Sequence, residues 1–167
     1  MAQARYTPLQ SQDKSDFDCG EPSLNDYLQR YARQNSRRGS SKTYVAAPEN
    51  VVLGYFTLCS GSVALENFPE DERRGLPRLI PVVHLARLAV DRSIQGQGLG
   101  EALLLGALET ALSVAELIGV MGVEVWAIND AARAFYTRYS FQTLEDDFFH
   151  LYLSHEGAKR LLTSLNA

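Results

Sequence analysis

The chain of 167 residues is poor in features that assign a protein to a class at once. It has two cysteines, Cys19 and Cys59, which give no disulfide framework and no metal-ligand spacing. Residues 1–10 lack the apolar core of a signal peptide, and no apolar run approaches the roughly 20 residues of a membrane span. We therefore expect a cytoplasmic protein with no metal and no membrane partner, folded as a single domain over residues 1–167.

Negative charge is missing from one stretch. No acidic residue lies between residues 27 and 48, where several arginines and a lysine occur. The whole chain has a net charge of −4, but residues 27–92 carry +4 and the remainder carries −8. An acidic protein with a basic region can bind a polyanion on one face.

A glycine-rich turn follows an apolar strand near residue 90. Gly96, Gly98 and Gly100 allow a tight turn that aims several backbone N–H groups from the start of a helix, which suits a pyrophosphate. No lysine follows these glycines, so the turn is not a P-loop. The glycine spacing also differs from the dinucleotide fingerprint. A tight turn without a ligand is the alternative at this point.

Hydrophobic periodicity predicts an α/β (α+β) chain with a mixed sheet. A helix is predicted over residues 23–36 because its apolar residues recur at helical spacing: Leu24, Tyr27, Leu28, Tyr31 and Ala32. Residues 66–81 read as a loop with a short helix. The other predicted helices are 99–118, 131–139 and a weak one from 155, and the predicted strands are 43–47, 51–61, 82–90, 123–128, 141–144 and 148–153.

Two segments resemble the GNAT superfamily of N-acetyltransferases. Residues 95–100 are similar to its Gln/Arg-x-x-Gly-x-Gly/Ala signature, and residues 129–141 to its N-x-x-A-x-x-F-Y-x-x-x-G-F segment, with Ser140 where glycine is usual. The resemblance covers roughly residues 43–153. It implies the GNAT fold, a mixed central β-sheet flanked by helices, with splayed strands that form an acetyl-CoA cleft.

The resemblance also implies a chemistry. It makes acetyl-CoA the cosubstrate and Tyr136 the general acid that protonates the departing thiolate, although a core tyrosine is the alternative. No histidine is identified as a general base: His84 reads as a sheet residue, and water can serve. The residues implied to bind acetyl-CoA are Leu88, Ala89, Val90, Gln95, Gly96, Gln97, Gly98, Leu99, Gly100, Glu101, Asn129 and Phe135.

A narrower resemblance concerns the acceptor. Residues 17–20, 24–28, 32–35, 43–45, 54–58, 76–78 and 85–90 are similar to acetyltransferase toxins of bacterial type II toxin–antitoxin systems. This branch implies acetylation of the α-amine of aminoacyl-tRNA, inhibition of translation, a homodimer, and a repressor complex with a ribbon–helix–helix antitoxin.

Basic side chains are the candidates for contacting the tRNA phosphates. Arg87 lies in an apolar strand, so we expect it to be paired or to face the active-site groove. The alternatives are acetylation of a small amine or a protein N-terminus, and a binding module that holds coenzyme A without turnover. The candidate tRNA-binding residues are Arg33, Arg37, Arg38, Lys42, Arg78, Arg87 and Arg92.

Overall fold

The computed structural model describes residues 5–166; residues 1–4 and 167 of the predicted domain lie outside the described part. The chain divides into two compact units. Unit 1 combines the described residues up to Cys59 with Ala86–Ala107, and unit 2 combines Ser60–Leu85 with the residues from Leu108 onward.

Seven strands form a mixed sheet in the order β1-β2-β3-β4-β5-β7-β6, as the fold prediction requires. The pair β4–β5 is parallel, whereas β1–β2, β2–β3, β5–β7 and β6–β7 are antiparallel. All six predicted strands are present, and the two-residue β1 was not predicted. The strands are β1 (Thr7–Pro8), β2 (Lys42–Ala46), β3 (Gly54–Ala64), β4 (Leu79–Val90), β5 (Gly122–Trp126), β6 (Gln142–Thr143) and β7 (His150–Ser154).

The first predicted helix consists of three segments. Helix α1 (Pro22–Asp26) continues into a π-helical turn (Tyr27–Tyr31) and then into α2 (Ala32–Arg38), which ends at Gly39 with φ 80°. The backbone N–H of Ala32 donates to the carbonyl of Tyr27, a bond that spans one residue more than in an α-helix. Tyr31, the last residue of this wider turn, is 48% exposed, whereas Tyr27 and Leu28 are buried.

The core of unit 1 packs around the buried rings of Phe17, Tyr27 and Tyr55. A glycine is required at the start of β3. A Cβ on Gly54 would lie 2.7 Å from Cδ1 of Leu103 and 3.2 Å from the carbonyl of Ala89. Leu103 belongs to helix α3 (Leu99–Leu117), so the absent side chain allows this helix to lie close against the strand.

In unit 2, four of the five residues of β5 are buried, and one of these four is the charged Glu124. Its pairing with β4 covers only Val82–Leu85 against Gly122–Val125, although β4 continues to Val90. Helices α4 (Asp130–Arg138) and α5 (His155–Leu165) complete this unit. Over residues 5–166, no helix combines the length and apolar character needed to cross a bilayer.

Candidate active site

The turn before the glycines is held by the Asp91 carboxylate. Its Oδ1 accepts from the backbone N–H of Ser93 at 3.0 Å and from the Ser93 hydroxyl at 2.8 Å, and its Oδ2 accepts from the N–H of Asp18 at 3.0 Å. Burial acts to raise the pKa of Asp91, but these hydrogen bonds outweigh it and the pKa is lowered. The ionised carboxylate therefore fixes the 3-10 turn Arg92–Ile94 that leads into the loop.

The Gln95 side chain anchors the loop itself. Its amide Nε2 donates to the carbonyl of Val90 at 2.8 Å and to the carbonyl of Cys19 at 2.9 Å. A glutamine at this position is thus explained by the local backbone. The predicted contribution of Gln95 to acetyl-CoA binding can come from its main chain.

The glycine loop presents an open set of backbone donors. Gly96 and Gly98 adopt φ values of 77° and 92°, which favour glycine, and no atom lies within 4 Å of where their Cβ atoms would be. The N–H of Ala102 donates to the carbonyl of Gly98 at 3.1 Å. The N–H groups of the preceding residues, 99–101, have no carbonyl one turn earlier in the helix to bond. Together with the helix dipole, this arrangement suits a phosphate group.

The remaining predicted cofactor residues of unit 1 occupy the end of β4 and the loop. Ala89 is buried, Leu88 and Val90 are half-buried, and Gln97 is exposed. That these residues contact acetyl-CoA stays a prediction.

Tyr136 lies on α4 in unit 2. The helix begins after Asn129, whose side-chain oxygen accepts from the N–H of Ala132 at 2.8 Å. Tyr136 is 6% exposed, and its ring packs edge-on against those of Phe135 and Phe141, with centroids 5.2 and 5.4 Å away. Burial raises the pKa of Tyr136 above its ordinary value, so the phenol stays protonated at neutral pH.

The Tyr136 hydroxyl donates no hydrogen bond to any residue from 5 to 166. The residue is buried, but its hydroxyl oxygen is not among the enclosed polar atoms that lack a partner, so this oxygen is open to solvent. An accessible phenol oxygen can act on a bound ligand, and it differs from the satisfied hydroxyl of a core tyrosine. Just after α4, Ser140 takes the left-handed φ of 73° that the GNAT glycine would adopt more easily.

Three of the predicted tRNA-binding residues meet in one cleft of unit 1. Arg33 and Arg37 lie one turn apart on α2, and Lys42 begins β2. The cleft has a volume of about 460 Å³ and contains no carboxylate in its lining. We call this the basic cleft; it is lined by Pro8, Leu9, Gln10, Arg33, Ser36, Arg37, Lys42, Thr43 and Tyr44.

The other four predicted tRNA-binding residues do not line the basic cleft. Arg38 and Arg78 are exposed, Arg78 in unit 2. The guanidinium of Arg92 lies 3.5 Å from the Asp18 carboxylate. Arg87 is half-buried and has no ion pair within residues 5–166; its guanidinium lies over the Tyr27 ring, 3.6 Å from the centroid.

Sequence analysis did not identify Lys14 as a neighbour of the basic cleft. Its Nζ donates to the carbonyl of Leu28 at 3.1 Å. Burial first, and then the positive charge of Arg33, lower the pKa of Lys14. Lys14 therefore adds to the positive potential near Arg33. It precedes the acid-free stretch, which is why charge patterning missed it.

Unit 2 contains a network that no motif indicated. Nδ1 of His84 lies 3.0 Å from Oε1 of buried Glu124, at ion-pair distance but without hydrogen-bond alignment. Nε2 of His150 lies 2.6 Å from Oε2 of Glu124, and Nδ1 of His150 lies 2.8 Å from Oδ1 of Asp146. We call these four side chains the histidine–carboxylate network.

The charge of Glu124 is maintained by its two neighbours. Burial acts to raise the pKa of Glu124, but the contacts with His84 and His150 outweigh it, and the net effect lowers the pKa. Within residues 5–166, no group of three or more His, Cys, Asp or Glu side chains is placed to hold a metal ion.

The fold and the glycine loop define a class, the N-acetyltransferases. A family model described as "Acetyltransferase (GNAT) family" matches residues 8–141, and the chain belongs to this family. The resemblance inferred from the two sequence segments is thereby confirmed.

Individual relatives show which members of this family the chain is similar to. The chain is 41% identical over 150 residues to the "tRNA-acetylating toxin" of Mycobacterium tuberculosis (strain ATCC 25618 / H37Rv), with 90% of both chains covered. It superposes with a TM-score of 0.87 on the structure of AtaT complexed with acetyl-methionyl-tRNAfMet, at 31% identity, covering 94% of this chain and 98% of that one.

A further match shows AtaT with other molecules. A mutant of the AtaT toxin bound to the C-terminus of the antitoxin AtaR and acetyl-CoA gives a TM-score of 0.80 at 31% identity, with 95% and 98% coverage. The resemblance to acetyltransferase toxins is therefore also confirmed.

Proposed function

We propose that this acetyltransferase is the toxin of a type II toxin–antitoxin system. It transfers the acetyl group of acetyl-CoA to the α-amino group of an aminoacyl-tRNA and so inhibits translation. The proposal rests on the similarity to the tRNA-acetylating toxin and to AtaT, together with the charge distribution of unit 1.

The observation that carries the choice of acceptor is the basic cleft. Arg33, Arg37 and Lys42 converge there without a carboxylate in the lining, so their charges are not neutralised by the protein. A small cationic amine would be repelled by such a surface, whereas nucleic-acid phosphates would replace their counterions there. A polyanionic acceptor fits this cleft better than a small amine or a protein N-terminus.

The glycine loop suits the pyrophosphate of acetyl-CoA. Its N–H groups, the open space beside Gly96 and Gly98, and the N-terminus of α3 all favour an anion there. Asn129 has its side-chain oxygen engaged in the helix cap, and we propose that Asn129 and Phe135 contact the pantetheine arm.

Acetyl transfer requires a neutral amine and a proton for the leaving group. The amine nitrogen bonds to the thioester carbon and loses a proton to water, and the carbon–sulfur bond breaks. The Tyr136 hydroxyl donates its proton to the departing thiolate and regains one from solvent. The phenol carries its proton at neutral pH because the ordinary pKa of tyrosine is about 10.

The partners follow from the same similarity. We propose that the chain binds a ribbon–helix–helix antitoxin in a repressor complex and forms a homodimer. Size determination of the purified toxin, alone and co-expressed with a candidate ribbon–helix–helix antitoxin, tests both statements. A monomer that ignores that protein would contradict them.

The function is tested by offering several acceptors in competition. The purified protein is incubated with labelled acetyl-CoA, total charged tRNA, a polyamine and a peptide with a free N-terminus. We expect label on the aminoacyl group of tRNA, released by mild alkali with the amino acid. Label on the polyamine or peptide alone would support the alternative acceptors, and binding of acetyl-CoA without transfer would support a binding module.

A further inference from the structure

Both ring nitrogens of His150 face carboxylates. Nε2 lies 2.6 Å from Oε2 of Glu124, and Nδ1 lies 2.8 and 2.9 Å from the two oxygens of Asp146. A neutral imidazole has one N–H and one unprotonated nitrogen, and an unprotonated nitrogen cannot donate to a carboxylate. Two ionised carboxylates can both be satisfied only if both nitrogens carry protons.

The surroundings of the ring favour a cation. Glu124 is buried on β5 with its pKa lowered, Asp146 reaches solvent with 30% of its side chain exposed, and His84 contacts the far oxygen of Glu124. The indole of Trp126 stacks on the His150 ring with centroids 4.1 Å apart and an angle of 10° between planes. An aromatic face stabilises a cation placed over it.

We infer that His150 is held as a buried imidazolium between Glu124 and Asp146, and that it is a positioning residue for the helix that carries Tyr136. The second half of this inference rests on the proposed function, because it takes Tyr136 as the general acid. The first half concerns only the charge of the ring.

The connection to α4 passes through the turn before β7. Asp146 lies in this turn, and so does Phe148, whose carbonyl accepts from Nε of Arg133 at 2.9 Å. The Arg133 guanidinium also lies over the Phe148 ring, 3.7 Å from its centroid, and donates to Oγ1 of Thr143 at 2.7 Å. Arg133 is on α4, three residues before Tyr136. The turn held by the His150 cation therefore holds the helix in place.

The network also fixes the strand that leads to α4. Trp126 and His150 are opposite one another in the β5–β7 pair, and the next backbone N–H, that of Ala127, donates to the carbonyl of Phe149 at 2.9 Å. Asn129 caps α4 two residues later. The chain just before α4 is thus held through Ala127, and α4 itself is held through Arg133. Both contacts are made to residues next to His150.

The protonation state is measured by NMR of the full chain labelled with ¹⁵N on histidine. At neutral pH we expect protons on both ring nitrogens of His150, whereas His155, in which one nitrogen lies 3.7 Å from Glu156, serves as an internal comparison. Trp126 is the single tryptophan, and a stacked imidazolium quenches indole emission. His150→Gln should therefore raise the fluorescence. An unprotonated nitrogen on His150, or unchanged emission in that variant, overturns the buried cation.

The positioning role is measured by kinetics. We expect His150→Gln to lower kcat about tenfold and to leave KM for both substrates within about twofold, while the matched control His155→Gln keeps both constants. In a Tyr136→Phe background the same substitution should have no further effect, because it acts through the phenol.

An equal loss in that background, or a rise in KM instead of a fall in kcat, overturns the positioning role. Asp146→Asn, at the partly exposed end of the network, provides a second variant if His150→Gln does not fold. It should lower kcat about two- to fivefold and again have no effect without Tyr136. If Tyr136→Phe alone leaves turnover unchanged, the proposed general acid is wrong and this role falls with it, while the NMR result still decides the charge of His150.

Discussion

The basic cleft of unit 1 and the histidine–carboxylate network of unit 2 both concentrate charge, but only one of them is neutralised internally. In the cleft, exposed cations converge and no carboxylate lines the surface. In the network, buried Glu124 contacts two histidines, and one of these also contacts Asp146. Uncompensated charge at a surface serves to bind a charged partner, whereas compensated charge inside a protein fixes geometry. Substitutions in the cleft should therefore change binding, and substitutions in or around the network should change stability or turnover.

The strongest test of the network as a structural element is Glu124→Gln. We expect the free energy of unfolding to fall by about 3 kcal/mol, because the change leaves buried histidine groups without their charge partner. The sign of the pH dependence follows from the lowered pKa of Glu124. The stabilisation is present above the pKa of the unfolded chain and is lost as the pH falls through the folded pKa.

Denaturant titrations at several pH values measure this effect. The loss of stability at acid pH should be smaller in Glu124→Gln than in the original chain. Glu116→Gln, an exposed position on α3, is the matched control and should change little. If Glu124→Gln and Glu116→Gln behave alike, the network contributes nothing to the fold.

The cleft is tested by removing its three cations together. We expect Arg33→Ala, Arg37→Ala and Lys42→Ala combined to reduce kcat/KM for charged tRNA on the order of 100-fold, mostly through KM, because phosphate contacts are lost. The dependence of log KM on log salt concentration should become shallower by about one unit per lost contact.

Arg30→Ala provides the control for general loss of charge. Arg30 lies in the π-helical turn just before α2 and pairs with Asp26 at 3.0 Å, so its removal should have little effect. A triple variant that lowers kcat and leaves KM unchanged would contradict the assignment of tRNA binding to the basic cleft.

Tyr136→Phe is expected to have the opposite kinetic signature. Turnover should fall at least about tenfold, the low end for an acid or base, because the leaving thiolate loses its proton donor. The free energy of unfolding should change little, since the hydroxyl has no hydrogen-bond partner within residues 5–166. Steady-state kinetics with acetyl-CoA and charged tRNA measure it, and normal turnover would remove Tyr136 from the mechanism.

The smallest expected effect concerns Ser140, just after α4. Ser140→Gly should raise the free energy of unfolding by about 0.5 kcal/mol, because glycine adopts the observed φ of 73° without steric cost. Thermal unfolding detects a change of this size. A loss of stability would show that the serine hydroxyl contributes more than the backbone strain costs.

Local patterns were sufficient to predict most elements. The strands that lead to the sheet centre and the glycine loop have strong short-range signals, and α3 was predicted to within one residue at its end. The two-residue β1 was missed because so short a strand has no periodicity to detect. The π-helical turn was not predicted because the apolar residues from Leu24 to Ala32 follow α-helical spacing.

The sites were predicted unequally for a similar reason. Charge patterning found Arg33, Arg37 and Lys42 because they are close in sequence. It could not separate them from Arg87, whose stacking on Tyr27 depends on tertiary structure. The network was missed entirely because its members come from separate elements, and a histidine beside a carboxylate becomes visible only when strands pair.

The π-helical turn Tyr27–Tyr31 also sets the direction in which the side chains that follow it point. One residue of an α-helix corresponds to a rotation of about 100°, so the extra residue of this turn rotates everything after it by that angle relative to α1. Arg33 and Arg37 lie after the turn and line the cleft. Deletion of one residue here would restore a regular α-helix and turn both guanidinium groups toward a different side of the helix. The direction in which this enzyme presents its positive charge is therefore encoded by the number of residues between α1 and α2, as well as by which residues are arginine.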